Sequence, residues 1–401
     1  MRVLSIFGTR PEAIKMAPVV RALESTPGIV AQVCITGQHQ FMLQQVLDVF
    51  QIRAHHDLAL MTSNQTLNGL SSKLFDFIDP VLEEVKPDLV LVHGDTSTAM
   101  AAALAAFHRR CPVAHVEAGL RTGNMAQPWP EEMNRRVIDV VSDILFAPTA
   151  SSRANLQQEN LRGKIYVTGN TVIDALRITD QRIRGDASLR ASLDAHFPFI
   201  DPGRKLLLVT GHRRESFGAG FTNICAALAA LALREDMQIV YPVHLNPNVQ
   251  QPVQAALSRF PNVHLIPPQD YLLFVRLMQR SHAILTDSGG IQEEAPYLDK
   301  PVLVMRDVTE RPEAVEAGTV QLVGTDPQRI VKAVSNLYDR DDLWCQFSGR
   351  ENPYGDGYAA NRIIAAVLGQ SFDDFDPVNP AGAELATVDE EQPARRVRWG
   401  N

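Results

Sequence analysis

The sequence has no excess of positive charge. Lysine and arginine number 38 against 46 aspartate and glutamate residues, which gives a formal net charge of −8 at pH 7. Nucleic acids and anionic membrane surfaces attract clustered cations, so this balance argues against both as general partners. Any phosphate group must therefore be bound by a local basic pocket.

Cysteine is scarce, and long apolar runs are missing. No stretch reaches the roughly 18 apolar residues of a membrane span, and the first run, Val3–Phe7, stops at Gly8, which is typical of a strand rather than a signal peptide. We expect a cytoplasmic protein without a metal or a cofactor. The cysteines are far apart and form no CxxC pair, which argues against a zinc site or a disulfide framework: Cys34, Cys111, Cys225 and Cys345.

Two glycine-rich nucleotide signatures are also missing. After the first predicted strand the chain reads Gly8-Thr9-Arg10-Pro11-Glu12, with Lys15 one turn later. This is neither the G-x-x-x-x-G-K-[ST] loop nor G-x-G-x-x-G, which argues against a P-loop NTPase and a dinucleotide oxidoreductase. Arg10 suits bidentate phosphate contacts and Lys15 suits charge neutralisation. The alternative is a proline-started helix with solvated cations.

The length of 401 residues fits two or three domains, and 45% hydrophobic residues supply a large core. Short apolar runs alternate with helix-period segments, which indicates parallel α/β sheets. We predict two Rossmann-like doubly wound domains that face a central cleft, at residues 1–170 and 171–355. Residues 356–370 are expected to form a terminal helix that packs back on the first domain, and 371–401 a disordered tail.

The predicted strands divide into two series. Those of the first domain are Val3–Phe7, Gln32–Ile35, Leu89–His93, Val113–Glu117, Ile144–Phe146 and Lys164–Val167. Those of the second domain are Leu206–Val209, Gln238–Tyr241, Val263–Ile266, Ala283–Thr286, Val302–Met305 and Val320–Leu322. Polar clusters follow several of them, and in open α/β sheets ligands bind at the carboxyl ends of strands.

One such cluster, Ser288-Gly289-Gly290, follows the strand Ala283–Thr286 and opens a helix. Glycine allows close approach of the backbone, and the free N–H groups and dipole of a first helical turn favour an anion. This pattern predicts a diphosphate site. The alternative is a serine N-cap followed by a glycine turn.

Asp95, Glu117 and Glu131 lie at or just beyond strand ends, and His212 follows a strand of the second series. Clustered carboxylates in a cleft suit acid/base chemistry, because burial and neighbours tune their pKa values. For each carboxylate the alternative is a helix cap. Glu131 could also form an ion pair with Arg135 at i+4. The other histidines, among them His93 and His115, show no metal-ligand spacing and are expected to be structural or solvated.

Eight motifs occur in order along residues 8 to 314: GTRPEAIK, HGDTSTA, VEAGLRT, PWPEEMNRR, GHRRESFG, YPVHLNPNV, DSGGIQEEA and RDVTERPEA. Together they resemble the bacterial non-hydrolysing UDP-N-acetylglucosamine 2-epimerases, and the match runs almost to Gly369. The resemblance implies the glycosyltransferase-B architecture, a homodimer, and interconversion of UDP-N-acetylglucosamine with UDP-N-acetylmannosamine for cell-surface polysaccharide synthesis. Ser216 departs from the asparagine usual in this family, and the acidic tail has no counterpart.

The resemblance also implies roles for individual residues. Asp95, Glu117 and Glu131 would be acid/base groups, and His212 would be catalytic or bind diphosphate. A second, activating substrate site would involve Gln40, Gln44 and His244. The ribose would be bound by Glu294, and the uracil by Gln269 and Phe274. Arg135 and Arg213 would be further substrate contacts. The diphosphate would be bound by Arg10, Lys15, Ser288, Gly289, Gly290 and Arg311.

Three rival functions remain open from the sequence. A glycosyltransferase shares the predicted cleft and diphosphate turn but needs an acceptor. A hydrolysing epimerase would release free N-acetylmannosamine and UDP. A sugar-nucleotide sensor would need no acid/base set, so Asp95, Glu117, Glu131 and His212 argue against it.

Overall fold

The structure, a computed structural model, describes residues 1–37, 40–60, 62, 65–347 and 349–377. The chain forms two compact units. Unit 1 comprises Met1–Ala175 and the chain from Tyr354 onward, and unit 2 comprises Leu176–Pro353. The first boundary lies inside a helix, Thr171–Gly185, whereas the sequence placed it at residues 170 and 171.

Unit 1 contains a parallel sheet with the strand order β3-β2-β1-β4-β5-β6-β7. Its order reverses between β1 and β4, which makes the carboxyl ends of these two strands the switch point of a doubly wound sheet. Helices cover both faces of this sheet, so its central strands are continuous apolar runs. In the first strand the fully buried residues are Val3, Leu4, Ile6 and Phe7. The strands are β1 Arg2–Phe7, β2 Val30–Ile35, β3 His56–Asp57, β4 Leu89–His93, β5 Val113–Val116, β6 Ile144–Ala147 and β7 Lys164–Val167.

The helices of unit 1 begin at polar caps that follow the strands. Thr9, Thr66, Thr96 and Thr149 each accept a hydrogen bond from a first-turn N–H, which fixes where α1, α3, α4 and α6 begin. The last helix of the described residues, α16, packs against α1. The helices are α1 Arg10–Glu24, α2 Gln40–Phe50, α3 Leu67–Val85, α4 Ser97–His108, α5 Glu131–Val141, α6 Ala150–Gln158, α7 Thr171–Gly185 and α16 Ala359–Val367.

Unit 2 repeats the design with the parallel strand order β10-β9-β8-β11-β12-β13. The order reverses between β8 and β11, so their carboxyl ends mark a second switch point. The strands are β8 Lys205–Thr210, β9 Met237–Pro242, β10 Val263–Ile266, β11 Ala283–Thr286, β12 Val302–Val304 and β13 Val320–Leu322. The helices are α8 Ala187–Asp194, α9 Ala219–Leu231, α10 Pro247–Leu257, α11 Tyr271–Arg280, α12 Gly289–Glu294, α13 Pro312–Glu316, α14 Pro327–Asp339 and α15 Asp341–Cys345.

Two sequence-based expectations require correction. The short edge strand His56–Asp57 escaped prediction because two residues give no alternation pattern. The tail was predicted to begin at 371, yet Phe375 is 5% exposed and Asp374 accepts a hydrogen bond from the Val167 amide. The chain therefore stays packed on unit 1 beyond residue 370, while 378–401 lie outside the described residues.

No helix in the described part of the chain is both long enough and apolar enough to cross a membrane.

Candidate functional site

The carboxyl ends of β1 and β4 are tied together by a buried carboxylate. Glu12 accepts hydrogen bonds from the Gly8 amide at 3.0 Å, the Thr9 amide at 2.7 Å and the Thr96 hydroxyl at 2.7 Å. Burial raises the pKa of Glu12 above its usual value, although these hydrogen bonds oppose the shift. The carboxylate therefore fixes the turn that carries Arg10 relative to the turn that carries Asp95.

Glu117 follows β5 directly and leaves the strand with a φ of +68°. Such a backbone is uncommon for a residue with a side chain and is a feature of functional sites. The prediction that the strand extends through Glu117 was wrong by this one residue. The turn directs the side chain toward Lys15, whose Nζ lies 2.6 Å from Oε1, and toward His93, whose Nε2 lies 3.0 Å from Oε2.

This carboxylate is buried and charged. Its side chain is 7% exposed, and Asn170 donates a further hydrogen bond to Oε1 at 3.2 Å. Burial raises the pKa of Glu117, but the Lys15 ammonium and His93 outweigh burial and hold the pKa well below its usual value. Glu117 can therefore accept a proton at neutral pH.

Helix α5 carries the partners of the second carboxylate. Arg135 Nη2 lies 2.5 Å from Asp95 Oδ2, and the Asn134 side-chain amide donates to the Asp95 carbonyl at 2.8 Å. Glu131 is the first residue of α5 and is half-buried. The alternative considered for Glu131, an ion pair with Arg135, is absent from the ion pairs of the described residues, because Arg135 turns to Asp95 and Glu132.

Glu117 lies beside the turn that carries Asp95. A Cβ built on Gly94, the residue before Asp95, would lie 3.8 Å from Glu117 Oε2. His93, expected to be structural or solvated, instead contacts Glu117 from the end of β4. The sequence signal that could have identified it is its position as the last residue of a strand, directly before Gly94-Asp95.

In unit 2, Asp287 follows β11 and is fully buried. It accepts hydrogen bonds from the amides of His212 at 2.7 Å and Arg213 at 2.8 Å, and its Oδ1 lies 3.3 Å from His212 Nδ1. Burial lowers the pKa of His212 although Asp287 opposes the shift, and the His244 ring stacks on it at 5.6 Å. His212 is thus a neutral imidazole in a fixed position near neutral pH. Asp287 was not among the predicted site residues.

The predicted diphosphate turn lies beside arginines. Ser288 is the N-cap of α12, and its amide donates to the Thr286 hydroxyl at 2.9 Å. A Cβ added to Gly289 would lie 3.7 Å from Arg213 Nη2. Arg213 pairs with Glu310 at 2.9 Å, and Arg311 with Glu293 at 2.5 Å. Glu294, the last residue of α12, lies close to the turn, because its Oε1 would be 3.6 Å from a Cβ on Gly290.

The remaining predicted residues lie at the ends or surfaces of elements. Gln269 donates to the Pro267 carbonyl at 2.6 Å, and Phe274 lies in the first turn of α11, where it is half-buried. Gln44 is exposed on α2 and donates to Asp48 at 2.8 Å. The side chain of Gln40 lies outside the described residues. Arg10 is the first residue of α1.

The chain contains two doubly wound Rossmann-like domains. One has carboxylates at strand ends, and the other has a turn of the anion-binding type. These features place the protein in the glycosyltransferase-B fold class. The family model described as UDP-N-acetylglucosamine 2-epimerase matches residues 21–368. The chain therefore belongs to the UDP-N-acetylglucosamine 2-epimerase family, which confirms the predicted family and fold.

Individual relatives agree. The chain is 56% identical over 369 residues to the UDP-N-acetylglucosamine 2-epimerase of Escherichia coli K12, covering 92% of this chain and 98% of the relative. The crystal structure of the Neisseria meningitidis enzyme bound to UDP-GlcNAc is 50% identical and covers 92% and 100%, with a TM-score of 0.86. The Methanocaldococcus jannaschii enzyme in complex with UDP-GlcNAc and UDP is 33% identical and covers 92% and 100%, with a TM-score of 0.76.

Proposed function

We propose that this protein is a non-hydrolysing UDP-N-acetylglucosamine 2-epimerase that interconverts UDP-N-acetylglucosamine and UDP-N-acetylmannosamine. The observation that carries the proposal is Glu117, a buried carboxylate held charged by Lys15 and His93 beside the Asp95 turn. Relatives of this identity that act on, or are bound to, UDP-N-acetylglucosamine support the choice of substrate.

The chemistry explains why several acid/base groups are needed. The hydrogen on sugar C2 is not adjacent to a carbonyl carbon, so its direct removal is very unfavourable. If a base removes this proton while the bond from C1 to the UDP oxygen breaks, a C1–C2 double bond forms and gives 2-acetamidoglucal and UDP. Return of UDP to C1, with a proton delivered to the opposite face of C2, gives the epimer. Each face therefore needs its own proton donor or acceptor.

The carboxylates of unit 1 suit these proton transfers. We assign the acid/base roles to Asp95, Glu117 and Glu131, without dividing the two faces of C2 among them. Glu117 is charged and buried, so it can serve as a base. The Arg135 guanidinium, which we assign to substrate binding, lies beside the Asp95 carboxylate. Lys15 and Arg10, at the same sheet edge, are assigned to the substrate.

The groups of unit 2 suit the departing diphosphate. Backbone N–H groups and arginine side chains stabilise negative charge as it develops on a leaving group. We assign this role to the Ser288-Gly289-Gly290 turn with Arg213 and Arg311, and to His212, which the Asp287 carboxylate orients. Glu294 is assigned to the ribose, and Gln269 and Phe274 to the uracil.

Incubation of the purified protein with UDP-N-acetylglucosamine alone, followed by proton NMR, tests the proposal. We expect UDP-N-acetylmannosamine to appear until an equilibrium mixture is reached, with no acceptor added. Free N-acetylmannosamine with stoichiometric UDP would identify a hydrolysing epimerase. No conversion until a sugar or lipid acceptor is supplied would identify a glycosyltransferase.

We also propose that substrate binds at a second, activating site that involves His244, with Gln40 and Gln44 as further candidates. The stacking of His244 on His212 supports a route by which such a site would affect the first. In that case UDP-N-acetylmannosamine alone is converted slowly, and a trace of UDP-N-acetylglucosamine accelerates it. A reverse reaction that runs at full rate without this addition would exclude activation.

Finally, we propose a homodimer in the cytoplasm. The family resemblance supports the dimer. Exposed apolar surface supports it as well: Phe77 on α3 and Phe107 on α4 are 50% and 42% exposed, on two helices that pack together. Sedimentation equilibrium should give twice the 44.3 kDa mass of the chain. A single species of chain mass at micromolar concentration would contradict the dimer.

A further inference from the structure

A buried histidine and a buried aspartate lie beneath the strand-end carboxylates of unit 1. His115 on β5 and Asp139 on α5 are both 0% exposed. His115 Nδ1 lies 2.6 Å from Asp139 Oδ1, and His115 Nε2 lies 2.7 Å from the Gly94 carbonyl oxygen. Neither residue belongs to the acid/base set assigned above.

The hydrogen-bond partners determine where the protons are. A carbonyl oxygen only accepts, so Nε2 must carry a proton. Asp139 also accepts from the Arg121 guanidinium at 2.7 Å and the Gly119 amide at 3.3 Å, which is the pattern of a carboxylate. Nδ1 faces this carboxylate at 2.6 Å, so both ring nitrogens of His115 point at acceptors and the ring is fixed between Asp139 and Gly94.

The two ends of this arrangement reach both turns that carry catalytic carboxylates. Gly94, which accepts from His115, has a φ of +63° and immediately precedes Asp95. Asp139 binds the amide of Gly119, two residues after Glu117. Asn155 donates to the Gly119 carbonyl at 3.0 Å, so the second turn is held from both sides. One histidine–aspartate pair thus links the turn that carries Asp95 to the turn that carries Glu117.

We propose that His115 and Asp139 form a positioning pair that sets Asp95 and Glu117 at the spacing required for proton transfer at C2. The inference rests on the proposed epimerase function, and neither residue touches the reacting atoms in this assignment. A displacement of about 1 Å at a catalytic group can lower the rate on the order of a hundredfold, so a pair of this kind has a large effect on turnover.

The first experiment compares Asp139→Asn with Asp143→Asn. Asp143 accepts a hydrogen bond from the Val113 amide at 3.1 Å. This contact lies at the amino end of β5, away from the turns that carry Asp95 and Glu117, so Asp143→Asn is the matched control. We expect Asp139→Asn to lower kcat by about tenfold to a hundredfold with KM and the UDP dissociation constant nearly unchanged. Asp143→Asn should leave kcat near the wild-type value.

The misplaced carboxylate should also change the products. Once one proton transfer is slowed relative to the other, 2-acetamidoglucal and UDP should be released more often per epimer formed in Asp139→Asn than in wild type. The double variant His115→Gln/Asp139→Asn should be no slower than the slower single variant, because the two residues act as one unit. Additive losses, or equal losses in Asp139→Asn and Asp143→Asn, would overturn the pair.

A measurement that needs no activity separates this inference from the proposed function. In wild-type protein with 15N-labelled histidine, NMR should show a ring N–H proton of His115 shifted far downfield by its short hydrogen bond to Asp139. This signal should vanish in His115→Gln and move upfield in Asp139→Asn. Absence of the downfield proton in wild type would refute the pair even if epimerisation is observed. Its presence in a protein that does not epimerise would instead count against the proposed function alone.

Discussion

At the scale of single residues, Glu117 combines a left-handed backbone with a buried charge. Each feature has a free-energy cost: the backbone about 1–2 kcal/mol, and the carboxylate a desolvation penalty that Lys15 and His93 offset. Neither feature is required to cap a helix or to end a strand. Such costs persist where the surrounding structure fixes them, and they cluster at sites of chemistry.

Changing Asp95, Glu117 or Glu131 to its amide should lower kcat by roughly a hundredfold to ten-thousandfold, the usual contribution of a positioned acid or base. The amides are close in size to the carboxylates, so the fold should persist. UDP binding, measured by calorimetry, should be little affected, because its assigned contacts are made by other residues. Near-normal turnover in all three variants would contradict the acid/base assignment.

Replacement of Lys15 by methionine should move the acidic limb of the pH–rate profile. In wild type the ammonium holds the pKa of Glu117 low, so the carboxylate stays ionised well below pH 7. Without the ammonium, burial raises the pKa, and the ionised fraction falls at a higher pH. The acidic limb of kcat/KM should therefore shift upward in pH.

Lys332→Met, at an exposed position of α14, provides the matched control and should leave the profile in place. A Lys15→Met profile that falls in height without any shift along the pH axis would show that Glu117 does not set the limb.

At the scale of elements, strands were predicted well because their apolar runs are local signals. Predicted and observed strands differ mainly at their ends; β4, β7, β10, β11 and β13, for example, agree at both ends. The same logic selected the candidate site residues at strand ends, and their roles stay predictions. Partners that join distant segments were not selected, since nothing local links His115 to Asp139 or His93 to Glu117.

Helix α5 shows why the pairing of Arg135 could not be predicted. Spacing alone allows a pair with Glu131 at i+4, and it equally allows Glu132 at i+3. The tertiary structure decides, because Asp95 arrives from β4 and takes one nitrogen while the buried Glu132 lies 3.3 Å from another. A sequence pattern identifies the functional helix but not the direction in which each side chain points.

Glu12 should be essential to the β1–α1 turn. Glu12→Gln would replace one carboxylate oxygen by an NH2 group, so the Gly8 N–H, the Thr9 N–H and the Thr96 hydroxyl could no longer all donate to a charged side chain. We expect the free energy of unfolding to fall by about 1–3 kcal/mol, measured by urea denaturation with circular dichroism. Glu24→Gln, at the exposed end of the same helix, should change stability little. Equal midpoints for both variants would contradict this role.

At the scale of the whole molecule, each unit contributes a different chemistry. Unit 1 has carboxylates after β4 and β5, whereas unit 2 has a glycine turn after β11 and arginines in the loops after β8 and β12. The proposed elimination would need both kinds of group, because proton removal at C2 and departure of UDP from C1 are parts of one step. The proposed assignment of acid/base roles to unit 1 and leaving-group roles to unit 2 follows from that requirement.

The elimination route makes a strict prediction for wild-type protein in deuterated water. The proton removed from one face of C2 is not the proton returned to the other, so UDP-N-acetylmannosamine must carry deuterium at C2. At equilibrium, recovered UDP-N-acetylglucosamine should carry it as well, because the reaction is reversible. Mass spectrometry gives the extent of labelling, and loss of the C2 proton signal in NMR gives its position. Epimerisation with no deuterium at C2 would exclude an elimination whose protons exchange with solvent, and would require a route that leaves the C2–H bond intact.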